Sequence, residues 1–213
     1  FMEGVNWSLH LTLEGVSDAA VADAIAVQRG HATREGREIP NLLPMALAAR
    51  PYSVRGFLGP EGERWVPTNS MIPLSRGEQA ATAVQRFFEG HRAAMQRHGI
   101  WESYMLAARP GFVLIEPSFY WRDEVSRLHL DHLDAANAAR FAGHAPDAAA
   151  RAFAVRLREE LVQCLGGHGA VHVQLAKAYA WRSRLEPATG EAWDRVKAAL
   201  DPHGLMNPGN LAR

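Results

Sequence analysis

The chain has 213 residues, of which 47% are apolar and 22% are charged, the balance of an ordinary globular protein. Its 23 basic and 23 acidic residues cancel, so no net field attracts nucleic acid or an anionic membrane. The single cysteine excludes an intramolecular disulfide and a multi-cysteine metal site. No apolar run is long enough to span a bilayer and no leader is visible, so we expect a soluble, cytoplasmic protein without nucleic-acid or membrane partners.

The first quarter of the chain predicts one strand and two helices. Residues 6–15 alternate apolar and polar side chains, which is typical of a half-buried strand. Ser17 and Asp18 can cap a helix that runs to about Gly30. Residues 41–49 predict a second, shorter helix.

An irregular segment and a long helix follow. Residues 51–73 are rich in Pro and Gly, with short strands predicted at 65–67 and 71–73. Residues 75–78 fit a capping box, which would open a helix ending near Gly99. One face of this helix is apolar apart from a single histidine, and consists of Val84, Phe87, Phe88, His91 and Met95.

The second half predicts a hairpin, two helices and one more strand. Residues 103–108 and 112–120 read as strands joined by a turn at 109–111. A long amphipathic helix ends at Gly166 and Gly167, and its apolar face contains Phe153, Leu157, Leu161 and Leu165. Residues 171–179 alternate like a short strand, and a closing helix spans about 189–200. This order predicts an α+β fold, with helices packed on one face of an antiparallel sheet and a turned tail after the last helix.

The carboxyl-terminal segment carries the main indication of function. Pro202 cannot continue the closing helix, Gly204 supplies a turn, and Asn207, Pro208 and Gly209 supply another. A lysine-bearing helix followed by Asp-Pro, a Gly turn and Asn-Pro-Gly resembles the end of the FAD-linked oxidases of the vanillyl-alcohol oxidase and p-cresol methylhydroxylase superfamily.

A second segment supports this resemblance. Residues 172–179 are similar to the His-x-Gln-x-Gly-Lys-x-Tyr run by which these oxidases reach flavin and substrate, with Ala176 at the Gly position. The resemblance makes His172, Lys177 and Tyr179 candidate catalytic residues, and Gln174 and Lys177 candidate flavin contacts. A cation such as Lys177 would stabilise the negative charge of the reduced flavin. Strand alternation places Lys177 on the face opposite His172 and Gln174, unless the strand ends near Leu175 and Lys177 lies in the turn.

The resemblance also implies that substrate binding and FAD binding belong to different domains. Residues 1–200 would be a ferredoxin-like cap that binds substrate, and its exposed sheet face would cover the isoalloxazine ring of FAD. A missing amino-terminal domain of the same polypeptide would hold the FAD. Residues 201–213 would pack on that domain, with Asn207 and Gly209 near the cofactor. Whether the protein forms a homodimer is left open by the sequence.

The implied substrate is an alcohol, either a 4-alkylphenol or benzylic alcohol, or a 2-hydroxy acid. Anchoring a phenolate or a carboxylate requires a cation, for which Arg109, Arg182 and Lys177 are candidates. Glu116 and Tyr120, at the end of a predicted strand, could line the pocket.

A metal site is not expected. His129 and His132 are spaced to share one face of a helix, but no third ligand follows at motif spacing.

Two other functions are compatible with the same residues. The chain could be a non-catalytic α+β module that binds a small molecule or a protein. It could also be one subunit of a split flavoenzyme. A flavin domain encoded upstream of Phe1 in the same reading frame would favour the cap domain, a start codon the binding module, and an adjacent flavoprotein gene the split enzyme.

Overall fold

The computed structural model describes residues 8–34, 36–40, 42–49, 58–172, 179 and 181–210. The chain separates into two compact units, Phe1–Ser53 and Val54–Arg213. The domain predicted over residues 1–200 therefore takes in one unit and most of the other.

The first unit contains the two predicted helices, α1 (Asp18–Ala32) and α2 (Leu42–Ala49). Ser17 caps α1 as predicted, because its hydroxyl accepts a hydrogen bond of 3.2 Å from the Ala20 amide. The strand predicted at residues 6–15 is wrong for the described positions 8–15, which have no strand geometry. Alternation can produce a strand only beside a second strand, and the described part of this unit has none.

The second unit is built on four strands, β1 (Arg64–Pro67), β2 (Ser70–Pro73), β3 (Trp101–Arg109) and β4 (Phe112–Trp121). All pairings are antiparallel. β4 is central, with β3 on one side and with β1 and β2 end to end on the other. The predicted hairpin is confirmed, and Gly111 supplies the positive φ of 87° that its turn requires.

β1 and β2 form one strand interrupted at Thr68 and Asn69. Both pair with β4 in the same register, so no residue is inserted at the gap. The Thr68 amide donates to the Pro117 carbonyl at 2.9 Å, but Pro117 has no N–H to return to Thr68. One missing donor on β4 therefore interrupts the ladder.

The helices of this unit are α3 (Gly77–Arg97), α4 (Arg127–Leu130), α5 (Ala135–Phe141), α6 (Ala148–Gly167) and α7 (Pro187–Leu200). The amphipathic helices α3 and α6 bury their apolar faces together on one side of the sheet. The shared core contains Phe88 and Met95 of α3, Leu157 and Leu161 of α6, and Ile72, Ile115 and Phe119 of the sheet.

The start of α3 differs from the sequence prediction, and the start of α6 has an ion pair that was not predicted. The capping box at residues 75–78 is wrong, because a 3-10 turn over Leu74–Arg76 precedes α3 and its N-cap, Arg76, makes no side-chain cap bond. At the start of α6, burial alone would raise the pKa of Asp123, but hydrogen bonds from Arg151 above all lower it. This pair fixes the beginning of α6 to the end of β4.

Counted across the sheet, β3, β4 and the pair β1 and β2 occupy three positions, and Val171 lies in a fourth. It exchanges two backbone hydrogen bonds with Met71 on the outer edge of β2, at 2.7 and 2.9 Å. With the connections through α3 and α6, this gives the strand order of a ferredoxin-like fold and confirms the α+β prediction. Most of the strand predicted at 171–179 lies outside the described residues.

Candidate functional site

The sheet has one face packed on α3 and α6 and a second face that we call the open face. Directly paired residues of an antiparallel sheet point to the same side, so the register identifies its members. The described members with large or charged side chains are Trp65, Met71, Trp101, Met105, Arg109, Phe112, Leu114, Glu116 and Tyr120. Trp101 and Met105 are 42% and 49% exposed, which shows that this face is only partly covered.

A pair of parallel rings marks one end of the open face. Trp101 and Tyr120 are cross-strand neighbours whose ring centroids lie 3.9 Å apart at an interplanar angle of 5°. The Ser103 hydroxyl donates a long hydrogen bond of 3.4 Å to the Tyr120 hydroxyl. The stacked rings leave a flat aromatic surface suited to a planar partner.

Glu116 lies at the centre of the open face, opposite Met105. It is half-buried, and no hydrogen bond or ion pair joins its carboxyl group to another side chain in the described part of the chain. Burial raises the pKa of this carboxyl group, because the charged form loses hydration.

The two candidate arginines differ in availability. Arg109 is exposed at the end of β3, opposite Phe112 on the open face, and forms no ion pair within the described ranges. Arg182 is held by Asp194 of α7, with a 2.7 Å contact between its guanidinium and the carboxylate. Of these two candidates, Arg109 alone lies on the open face with its guanidinium available.

His172 and Tyr179 meet at the outer edge of β2. Their rings stack at 4.1 Å, and both residues are buried. His172 Nδ1 donates to the Asn69 carbonyl at 2.7 Å, and the Asn69 amide donates to the Tyr179 hydroxyl at 3.2 Å. Two side chains thus take the places that a neighbouring strand would fill beside the interruption.

The other side of this pair faces α6. Arg158 of α6 lies over the Tyr179 ring at 5.0 Å, and the buried Nε2 of His172 has no hydrogen-bond partner among the described residues. Burial lowers the pKa of His172, and the charges of Arg184 and Arg158 lower it further against the opposing bond to Asn69. Because Val171 shares the open face with Met71, His172 points to the opposite side and away from Glu116. Gln174 and Lys177 lie outside the described residues.

The tail folds back on α7 through Asp201. Its carboxylate accepts hydrogen bonds from the amides of Leu205 and Met206, at 2.8 and 2.9 Å, and contacts the Lys197 ammonium. The bond from Lys197 above all lowers the pKa of Asp201. Gly204 has a positive φ of 64°, and Asn207 and Gly209 follow with positive φ values of 48° and 74°, so the two predicted turns are present.

Neither histidine of the 129–132 segment joins a metal cluster. His129 Nδ1 lies 2.7 Å from the Ser126 hydroxyl, and a ring N–H of His132 donates to the Leu128 carbonyl at 2.8 Å. Across the described ranges, no three His, Cys, Asp or Glu side chains converge as metal ligands would.

Sequence reasoning missed two residues that organise this region. Trp101 continues the alternation of β3 two residues before Ser103, a signal that a longer strand would have used. Asn69 acts through its backbone groups, which no side-chain pattern reveals.

No described helix combines the length and the apolarity that crossing a membrane requires.

Comparison with known proteins gives a match to one family model over part of the chain. Residues 137–211, about a third of the chain, match the model of FAD linked oxidases, C-terminal domain. The match supports an FAD-linked oxidase C-terminal domain, and therefore the part of a flavoenzyme that works with an amino-terminal FAD-binding domain. Neither the curated proteins nor the solved structures include a match to the chain.

The matched segment contains most of the residues predicted from the resemblance. It spans Gln174 and Lys177 in sequence and also the described candidates His172, Tyr179, Arg182, Asn207 and Gly209. Arg109, Glu116 and Tyr120 lie before it. Their assignment depends on the sheet rather than on the family match.

Proposed function

We propose that this chain is the substrate-binding cap of an FAD-dependent oxidoreductase of the vanillyl-alcohol oxidase superfamily, acting on an alcohol. The observation that carries the proposal is the open face, on which Tyr120 stacks on Trp101 at one end, Glu116 lies at the centre and Arg109 lies at the other end. Such a face fits one side of a planar ring with a small polar substrate next to it. The family match supplies the cofactor class.

The residues of the open face would divide the work of binding. The Trp101 and Tyr120 rings offer a stacking surface for an aromatic alcohol. Arg109 offers a bidentate partner for the carboxylate of a 2-hydroxy acid. When bound, the flavin accepts the hydride that leaves the substrate carbon. Both substrate classes are tested below.

Lys177 is the proposed cation beside the flavin, on the sequence prediction that it lies on the face opposite His172. In the FAD-loaded enzyme, Lys177→Met should slow flavin reduction much more than it lowers the melting temperature, because the cation interacts most strongly with the reduced state. A lower melting temperature with unchanged reduction would assign Lys177 to the fold alone.

His172 and Tyr179 receive a different role from the one that the resemblance implies. Their buried rings act on Asn69, so we propose that they position the interrupted strand instead of contacting substrate. The tail after Leu200 is proposed to pack on the FAD-binding domain, with Asn207 and Gly209 at the contact. Cytoplasmic location stays a prediction.

The test uses the FAD-loaded enzyme, in which this chain is joined to its flavin domain. Benzylic alcohols, 4-alkylphenols and 2-hydroxy acids are mixed anaerobically with it, and bleaching of the flavin absorbance is recorded. Trp101→Ala should weaken binding of the alcohol that bleaches it, whereas Val155→Ala, at an exposed position of α6, should not. The proposal fails if no alcohol bleaches the flavin, or if both variants bind that alcohol as the parent does.

A further inference from the structure

The centre of the open face holds the carboxyl group of Glu116, which makes no hydrogen bond or ion pair with any side chain that the structure describes. Glu116 is flanked along its own face of β4 by Leu114 and Ser118. Across the sheet it faces Met105 of β3 on one side and, in the shared register of β1 and β2, Asn69 on the other. None of these neighbours is charged. A half-buried carboxyl group with no partner costs free energy, which is tolerated most often where the group acts on a ligand.

The charged and titratable groups around Glu116 can be named from the register. On the described part of the open face they are Arg109 at the end of β3 and Tyr120 further along β4. Arg109 lies four residues from Met105, which at roughly 3.3 Å per residue is about 13 Å. This separation is too long for an ion pair, so no described group neutralises Glu116.

We propose that Glu116 is the proton acceptor for the hydroxyl group of the alcohol that binds at the open face. The inference rests on the proposed function and adds the catalytic residue that takes the proton. The O–H bond breaks and its proton moves to the Glu116 carboxylate. The neighbouring C–H bond breaks and its hydride passes to the oxidised flavin of the joined domain, so the alcohol becomes a carbonyl compound.

The surroundings of Glu116 suit this role. Burial raises the pKa of its carboxyl group, which makes the ionised form a stronger base than an exposed glutamate. An alcohol hydroxyl that donates to the carboxylate would also give the group the partner that it lacks.

The first test needs no flavin. The 213-residue chain, labelled with 13C at glutamate side chains, is titrated by NMR with and without saturating benzyl alcohol. We expect Glu116 to titrate above an ordinary glutamate, and its midpoint to fall when the alcohol is bound, because a hydrogen bond to the carboxylate favours ionisation. The Trp101 indole signal reports binding independently.

The outcomes separate the two proposals. If benzyl alcohol shifts the Trp101 signal but leaves the Glu116 midpoint unchanged, Glu116 is not the acceptor, although the open face still binds substrate. The titration is repeated with a 4-alkylphenol and with a 2-hydroxy acid. If none of the three ligands moves the Trp101 signal or the Glu116 midpoint, the open face is not the substrate site and both proposals fall.

The second test measures flavin reduction in the FAD-loaded enzyme with the alcohol that bleaches it. Glu116→Gln should slow reduction by about 100-fold or more and remove the acid limb of the pH profile. Glu116→Asp should restore part of the rate. Glu159→Gln, which removes an exposed carboxylate from α6, is the matched control and should behave as the parent. Parental rates in Glu116→Gln would overturn the assignment, and Glu116→Asp with an unaltered pH profile would do so if Glu116→Gln does not fold.

Discussion

At the scale of single residues, the edge of β2 depends on two side chains that replace backbone partners. Tyr179→Phe removes the hydroxyl that accepts a hydrogen bond from the Asn69 amide. We expect the free energy of unfolding in urea to fall by about 0.5–1.5 kcal/mol. Tyr120→Phe is the control, because among the described residues its hydroxyl makes only a long contact, with Ser103. Equal effects of the two variants would contradict this view of the edge.

His172 makes stability depend on pH. Its pKa is lowered in the folded protein, so the unfolded chain binds a proton there more readily. The free energy of unfolding should therefore fall as the pH drops through the unfolded value of about 6.5 and on toward the lower folded value.

The measurement is the melting temperature at pH 7.5 and at pH 5.5. We expect a lower melting temperature at pH 5.5 in the parent and a smaller difference in His172→Gln. The pKa of His129 is lowered as well, by burial first and then by Arg64, so His129→Gln is compared in parallel. A full pH difference in His172→Gln would show that this histidine does not titrate as described.

At the scale of elements, a single imino acid divides one strand into two. Pro117→Ala supplies an N–H that can reach the Thr68 carbonyl in the existing register. We expect β1 and β2 to join, with the amide of residue 117 protected from hydrogen exchange. Rapid exchange at that amide, with the neighbouring β4 amides still protected, would mean that the gap has another cause.

The elements that sequence could predict are those with a strong period. The apolar stripes of α3 and α6 and the hairpin of β3 and β4 lie where the pattern places them. The strand predicted at residues 6–15 is wrong over the described positions 8–15, because alternation says nothing about a pairing partner. The short helices α4 and α5 were missed, since helices of four and seven residues have no full amphipathic period.

The candidate site was predictable only in part, for the same physical reason. The sequence placed Glu116 and Tyr120 at the end of one predicted strand, but only the register with β3 brings Trp101 opposite Tyr120 and Met105 opposite Glu116. The position of His172 against α6 depends on its long-range contacts with Asn69 and Tyr179, which no local pattern contains.

At the scale of the whole molecule, the tail after α7 is the segment that we propose to contact the FAD-binding domain. Deleting all residues after Leu200 removes the Asp201 carboxylate and its bonds to Leu205 and Met206. In the FAD-loaded enzyme we expect the truncated protein to keep its cap folded but to lose flavin faster during gel filtration. Residues 205 and 206 are exposed, so the cap's own core does not need them.

Two measurements decide this prediction. Far-ultraviolet circular dichroism reports the fold of the cap, and absorbance near the flavin maximum reports retention. Asp201→Asn in the full-length protein is the control, because it weakens the contacts of the tail with α7 and leaves the rest of the tail in place. If the truncated enzyme retains flavin as well as the parent does, the tail serves α7 alone.

The stacked rings of Trp101 and Tyr120 have an optical consequence. Two aromatic chromophores 3.9 Å apart and held in one fixed orientation interact electronically, and such a pair should contribute to the near-ultraviolet circular dichroism of the protein. A flat molecule laid on the same surface would alter that coupling before any chemistry occurs. The circular dichroism of this ring pair would therefore report ligand binding at the open face without a label and without catalytic turnover.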